Sequence, residues 1–265
     1  MFKQDNKMMF DFSYQQIIED DLTCAANQNL NLFEYSIKEA IDKFQKEYNK
    51  YCEKESDISD KISEIEIKQS NLDESKDLKY KELQNHKIEL YNKQHYYFTE
   101  TYLINEQLKS LSEMQIINTF KNIEINMKTL IHIAYPKIKT KEFYKWDSLI
   151  QFFNSKNIPI SKIQGYQEIT ELKNLNNSIK HNGILNDNLK KIEEFKTDDE
   201  FNFVNLINFY ERIKDTIKTF LNLLAEEIKK DLFHFNEDRL NKISQDLKQR
   251  MEASTIETLI LKLKE

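Results

Sequence analysis

From Ile37 the apolar residues recur at alternating steps of four and three. The seam is Ile37, Ile41, Phe44, Tyr48, Tyr51, Glu55, Ile58, Ile62, Ile65, Gln69, Leu72, Lys76, Lys79, Leu83, His86 and Leu90, with eleven of the sixteen positions apolar. A sustained spacing of this kind keeps one stripe toward a partner helix and is the signature of a coiled coil. It predicts a helical arm over 34–103. The seam weakens after Gln69, where Ser70, Asn71, Asp73 and Ser75 disfavour a helix interior and Ser70-x-x-Asp73 resembles a capping signal. Two arrangements fit: one rod pairing with another chain, or a hairpin that turns near 70–76.

Ahead of the arm, Ile17, Ile18 and Leu22 predict a short amphipathic helix within 1–33, followed by the turn-prone Asn27–Asn31. Behind it, Ile116, Phe120, Ile123, Met127, Leu130 and Ala134 share one face of a second helical region over 104–135, which Pro136 ends. Residues 141–155 predict a short, very apolar helix with Trp146, Leu149, Ile150, Phe152 and Phe153. Pro159 and Gly165 bracket a connector, and the next helix runs from about Tyr166 to Asn182 and stops at Gly183, a left-handed cap position. A long stripe from Phe203 to Leu232 predicts a bundle helix over 201–235, and 239–265 read as one further amphipathic helix. The expected fold is all-α: an N-terminal helical segment (1–33), a coiled-coil arm (34–103), an antiparallel helical bundle (104–236) and a C-terminal amphipathic helix (237–265).

Composition narrows this further. Two glycines, two prolines and a single valine leave neither the turns nor the strand formers of a sandwich or a Rossmann fold. The net charge is −6, and only Arg212, Arg239 and Arg250 carry the planar fork suited to phosphate, so no global field draws nucleic acid. Cys24 and Cys52 read as reduced thiols without zinc spacing. There is no signal-like apolar start and no apolar run of spanning length, so the expected location is cytoplasmic, with no membrane partner. No metal and no cofactor are expected, because the glycines of a phosphate loop and the H-E-x-x-H and C-x-x-C spacings are missing. His86 reads as a packing residue on the seam, and His132 and His234 read as bundle packing.

One segment carries chemistry: Glu171-Leu-Lys-Asn-Leu-Asn-Asn-Ser-Ile-Lys-His181-Asn-Gly183. On a helix, Leu172, Leu175 and Ile179 turn inward while Lys173, Asn177 and His181 line another face, with Asn174 beside it. Polar groups around an imidazole at a helix end can bind an anion or move a proton. The same residues also make an ordinary helix stop, with Lys180 and His181 in the last turn favouring the dipole.

This segment, with Trp146, Ile158-Pro-Ile160, Gly165-Tyr166 and Asn176-Asn-Ser-Ile-Lys-His181, resembles the HEPN superfamily of helical bundles found in prokaryotic defence and toxin systems. The resemblance covers about 105–235 and leaves out the arm. It implies that His181 corresponds to the family histidine and Asn177 to the polar residue often following the family arginine. The arginine of the R-x4-6-H motif is replaced by Asn176, and Lys173, the nearest upstream cation on the helix, lies eight residues, about 12 Å along the axis, before His181. Metal-free RNA cleavage needs a base at the 2′-hydroxyl and a fixed cation on the phosphate. His181 supplies the first and Asn176 cannot supply the second.

Three functions follow as expectations. The first is a HEPN-like binding or regulatory component of a defence or stress system, RNA- or nucleotide-binding through Lys173, Asn176, Asn177 and Lys180. The second is an active metal-independent RNase with His181 catalytic and Lys173 or Lys180 in place of the arginine. The third is a coiled-coil scaffold whose His181 region is only a cap. The expected partners are a second copy or another protein through the coiled coil, and RNA.

Overall fold

A computed structural model describes residues 13–27, 32–72, 78–138, 143–181 and 183–264. Among these there are eight α-helices and no strand: α1 (Tyr14–Asn27), α2 (Leu32–Gln69), α3 (Leu78–Ala134), α4 (Trp146–Ser155), α5 (Tyr166–His181), α6 (Phe203–Phe233), α7 (Glu237–Arg250) and α8 (Ala253–Lys262). The fold is all-α. None of these helices is long and apolar enough to cross a membrane.

The arm is a hairpin. Helix α2 packs along the first half of α3. Its seam points inward throughout: Ile37, Ile41, Ile58, Ile62, Ile65 and Gln69 are buried, and Phe44, Tyr48, Tyr51 and Glu55 are half-buried. Where the helix ends, the Ser70 hydroxyl donates to the Ile67 carbonyl (2.8 Å) and Gln69 Nε2 donates to Gln84 Oε1 (3.0 Å) across the pair. Ser70 therefore closes α2 rather than opening α3, and Asp73, Ser75 and Lys76 lie outside the described residues, as does most of Asn27–Asn31.

Beyond the turn the seam changes phase. Leu83, Lys87, Leu90, Gln94, Tyr97, Thr101, Ile104 and Leu108 turn toward α2, still in fours and threes. Lys79 and His86, which the seam assigned to the interface, are exposed. The reading of His86 as a packing residue is thus corrected. Helix α3 starts afresh at Leu78, so its phase does not have to continue that of α2. The ammonium of Lys87 takes the inner position instead and reaches Glu66 (2.7 Å).

Helix α3 does not stop where a second domain was expected to begin at 104. It runs 57 residues, about 85 Å at ~1.5 Å per residue. The interface at this point is continuous: Ile37 and Ile41 of α2, Ile104 and Leu108 of α3, and Phe203 of α6 form one cluster. The N-terminal segment is likewise part of the bundle, because Leu22, Ala25 and Ala26 of α1 sit in the main core with α3 and α6. That core also holds Phe153, Phe195, Phe209 and Phe220, all fully buried.

Gly165 opens α5 at φ +92°, and a Cβ there would lie 2.9 Å from Thr216 Cγ2 and 3.1 Å from the Thr216 carbonyl oxygen. Glycine is required at this point because α5 begins against the backbone of α6. The C-terminal segment is two helices, not one. In a single helix Leu247 and Ile256, nine residues apart, would point to opposite sides at about 100° per residue. The break at Met251 and Glu252 separates the two apolar stripes.

Candidate functional site

Helix α5 has the phase its sequence predicts. Ile169, Leu172 and Leu175 are buried, Ile179 packs half-buried on the core, and Asn177 and His181 are exposed. The helix ends in a tight stop: the Gly183 N–H reaches back to the Ser178 carbonyl (2.9 Å), with Gly183 at φ +62°. Asn182 lies outside the described residues. The Ser178 hydroxyl donates to the Ile184 carbonyl, and buried Leu185 and Leu189 pin the following loop to the core.

That loop folds back beside the last two turns of α5. Asn174, Asn177, Ser178 and His181 from the helix and Asn186 and Asn188 from the loop enclose an open groove of about 270 Å³. Asn186 is held by a local turn in which its Oδ1 accepts the N–H groups of Asn188 and Leu189 (both 3.1 Å). The lining is uncharged apart from the imidazole and rich in amides, each of which both donates and accepts hydrogen bonds.

The cations stand apart from this lining. Lys173 is half-buried, is not among the residues lining the groove and pairs with Asp147 of α4 (3.8 Å). The assignment of Asn176 to anion binding is corrected: it is 2% exposed and faces the core side of α5. Its Nδ2 donates to Asn177 Oδ1 (3.2 Å), while its own Oδ1 meets no donor. It braces Asn177 from behind and does not reach a ligand. Lys180 is exposed one step, about 100°, around the helix from His181. The cation at the rim is Lys191, whose ammonium donates to Asn188 Oδ1 (3.2 Å).

Arg212 is committed elsewhere. It bonds Glu194 (2.6 Å) and Glu171 (2.9 Å) and stacks on Phe209, tying α5 and α6 to the 3₁₀ turn at Glu193–Phe195. Burial opposes its charge, but the Glu194 and Glu171 bonds outweigh that, so its pKa rises.

Ser178, Asn186, Asn188 and Lys191 were not nominated from sequence. The run Asn186-Asp-Asn188 after Gly183 does carry a turn signal. Nothing in the linear pattern says that the turn lies against His181. His132 and His234 are exposed, so their reading as bundle packing is also corrected; His234 caps the end of α6.

A second cleft, of about 510 Å³, opens between α4, α6 and α7, with Lys156, Asp231, Arg239 and Lys242 among its lining. Its polar groups are largely bonded internally. The Tyr135 hydroxyl donates to Asp231 (2.6 Å), and Arg239 donates to the carbonyls of Asp231 (2.6 Å) and His234 (3.2 Å). Burial, then the Asp231 bond, pushes the Tyr135 phenol far above its ordinary pKa, so it stays protonated. Among the described residues no group of three or more His, Cys, Asp or Glu is placed to hold a metal ion. Both cysteines are free.

Compared with protein-family models, curated proteins and solved structures, the chain matches none.

Proposed function

We propose that this chain is a HEPN-like binding or regulatory component of a prokaryotic defence or stress system, and that the groove at the end of α5 takes RNA or a nucleotide. The observation that supports this reading most is the lining itself: Asn174, Asn177, Asn186 and Asn188 around His181. Amide side chains of this kind pair with the edges of unstacked bases, which is how single-stranded RNA is recognised by sequence. Lys191 at the rim would hold a phosphate by charge, the part assigned from sequence to Lys173. The same inventory argues against cleavage. A preorganised donor at a developing oxyanion is worth about 3–4 kcal/mol, and Lys191 is an exposed side chain held by one neutral amide.

The test is fluorescence anisotropy with a labelled single-stranded RNA and with ATP and GTP analogues. Asn177→Ala should weaken binding about tenfold, the loss of one or two hydrogen bonds. Lys191→Ala should weaken it and also flatten its salt dependence. RNA incubated with the protein in EDTA should stay intact. Binding indifferent to both substitutions would remove the groove from the reading. Cleavage lost in His181→Ala would replace it with the RNase.

A further inference from the structure

Four asparagines line the groove beside His181, and the side-chain oxygens of three are already engaged. Asn186 Oδ1 accepts the N–H groups of both Asn188 and Leu189, which uses its two lone pairs. Asn188 Oδ1 accepts from the Lys191 ammonium, a group that only donates, so this amide cannot be turned round. Asn177 Oδ1 accepts from Asn176 Nδ2. Asn176 is 2% exposed, and its own Oδ1 meets no donor. Turning these two amides together would strand a buried NH2 group instead, and orphaned N–H groups are rarer than under-satisfied carbonyls. Among the described residues the Nδ2 groups of Asn177, Asn186 and Asn188 meet no acceptor, and Asn174 is uncommitted. The groove therefore offers mainly donors. A buried polar atom left unmet costs stability, and one kept behind a groove calls for a functional reason.

We infer that the groove selects guanine over adenine, its amide N–H groups donating to N7 and O6, with Asn176 the positioning residue that fixes the polarity of Asn177. The inference rests on the nucleotide reading of this groove. Guanine shows N7 and O6 side by side as acceptors, whereas adenine sets its N6 amino donor beside N7. An asparagine reads adenine by using its oxygen and nitrogen together, and here three of the four oxygens are engaged. The N6 amino group would meet further N–H donors and stay unpaired, at a cost in affinity. Cytosine fails likewise through its N4 amino group. At about 270 Å³ the groove is smaller than the roughly 300–1,000 Å³ of a drug-sized pocket and suits one base, with the His181 ring there for stacking.

The test is calorimetric titration of the full chain with GMP, AMP, IMP and 7-deaza-GMP. GMP should bind about tenfold or more tighter than AMP, the discrimination of a good two-point contact. IMP keeps N7 and O6 and should bind as GMP does. 7-Deaza-GMP lacks the N7 acceptor and should lose about fivefold. Asn176→Leu keeps the volume and removes the brace: the ratio of GMP to AMP affinity should fall, while the melting temperature holds or rises because the unmet oxygen is gone. A merely structural Asn176 would leave that ratio alone. Asn186→Asp keeps an oxygen for the turn and replaces the Nδ2 donor with an acceptor, so the ratio should fall here too. The ratio cancels any repulsion of the phosphate, which both nucleotides share. Equal binding of GMP and AMP, a preference for AMP, or a ratio that both substitutions leave unchanged would overturn the inference while the groove still took nucleotides. No binding of GMP, AMP or single-stranded RNA would overturn the proposed function with it.

Discussion

Helix α3 is one unbroken helix in two environments. Over the arm, Leu90 is buried, Leu83 and Tyr97 are half-covered, and Ile88, Phe98 and Tyr102 are exposed. Over the bundle, Ile116, Phe120, Ile123, Met127, Leu130, Ile131 and Ala134 are all buried. The difference is the number of neighbours. The arm half meets α2, while the bundle half is packed by α1, α5 and α6. A stripe that serves one partner is about two positions in seven, and a bundle helix needs a wider face. Stability should follow the same division, with the bundle unfolding as a unit and the arm opening locally from its tip.

The largest effect should come from the bundle. Phe209→Ala empties a fully buried site and should cost about 3–5 kcal/mol, read as a lower urea midpoint for the main transition. A loss below about 1 kcal/mol would mean that the core is not packed around this ring. In the arm, Ile58→Lys with Ile62→Lys puts two charges into the tip cluster of Ile58, Ile62, Ile65 and Leu90. Amide exchange protection should vanish around residues 58–97 while the bundle's midpoint stays in place. If the bundle melts with the arm, the two halves of α3 are one cooperative unit. Gly165→Ala sits in the bundle, against Thr216 and Phe220 of α6, and is smaller in effect. The strained φ and the contact with Thr216 should cost about 1–3 kcal/mol, and a neutral substitution would show that α5 can back away from α6.

The smallest effect is a pH response at the arm. The hydrogen bond and charge of Lys87 hold the Glu66 carboxyl below its ordinary 4.5. A depressed carboxylate contributes stability above its unfolded pKa and loses it as pH falls through the folded value. Acidification through and below the ordinary carboxylate range should therefore loosen the arm before the bundle, and Glu66→Gln should abolish that difference. An arm that opens at the same pH in both proteins would assign the acid response to other carboxylates.

Much of the arm was legible because its signal is local. Ile37 through Gln69 point where their spacing says they should, since a helix fixes side-chain direction from one residue to the next. The failures fall where the chain breaks and restarts. After the turn, Lys87 replaced His86 because a new helix carries no memory of the old phase. At 239–265, Met251 and Glu252 broke what had read as one amphipathic helix. At the site, Leu172 and Leu175 were placed correctly by the period of α5. Asn176 was misassigned because a polar residue can face inward when a neighbour such as Asn177 takes its hydrogen bond.

The sequence by itself determined the helical class, the stops at Pro136 and Gly183, the inward seam of α2 and the inner face of α5. Each depends on contacts within a few residues. Only the tertiary structure decided that the seam closes within the chain, that α1 belongs to the core, and that Asn186, Asn188 and Lys191 come to lie beside His181. Those outcomes depend on which surfaces meet after the chain has turned, and an apolar stripe records that it must be covered without recording by what.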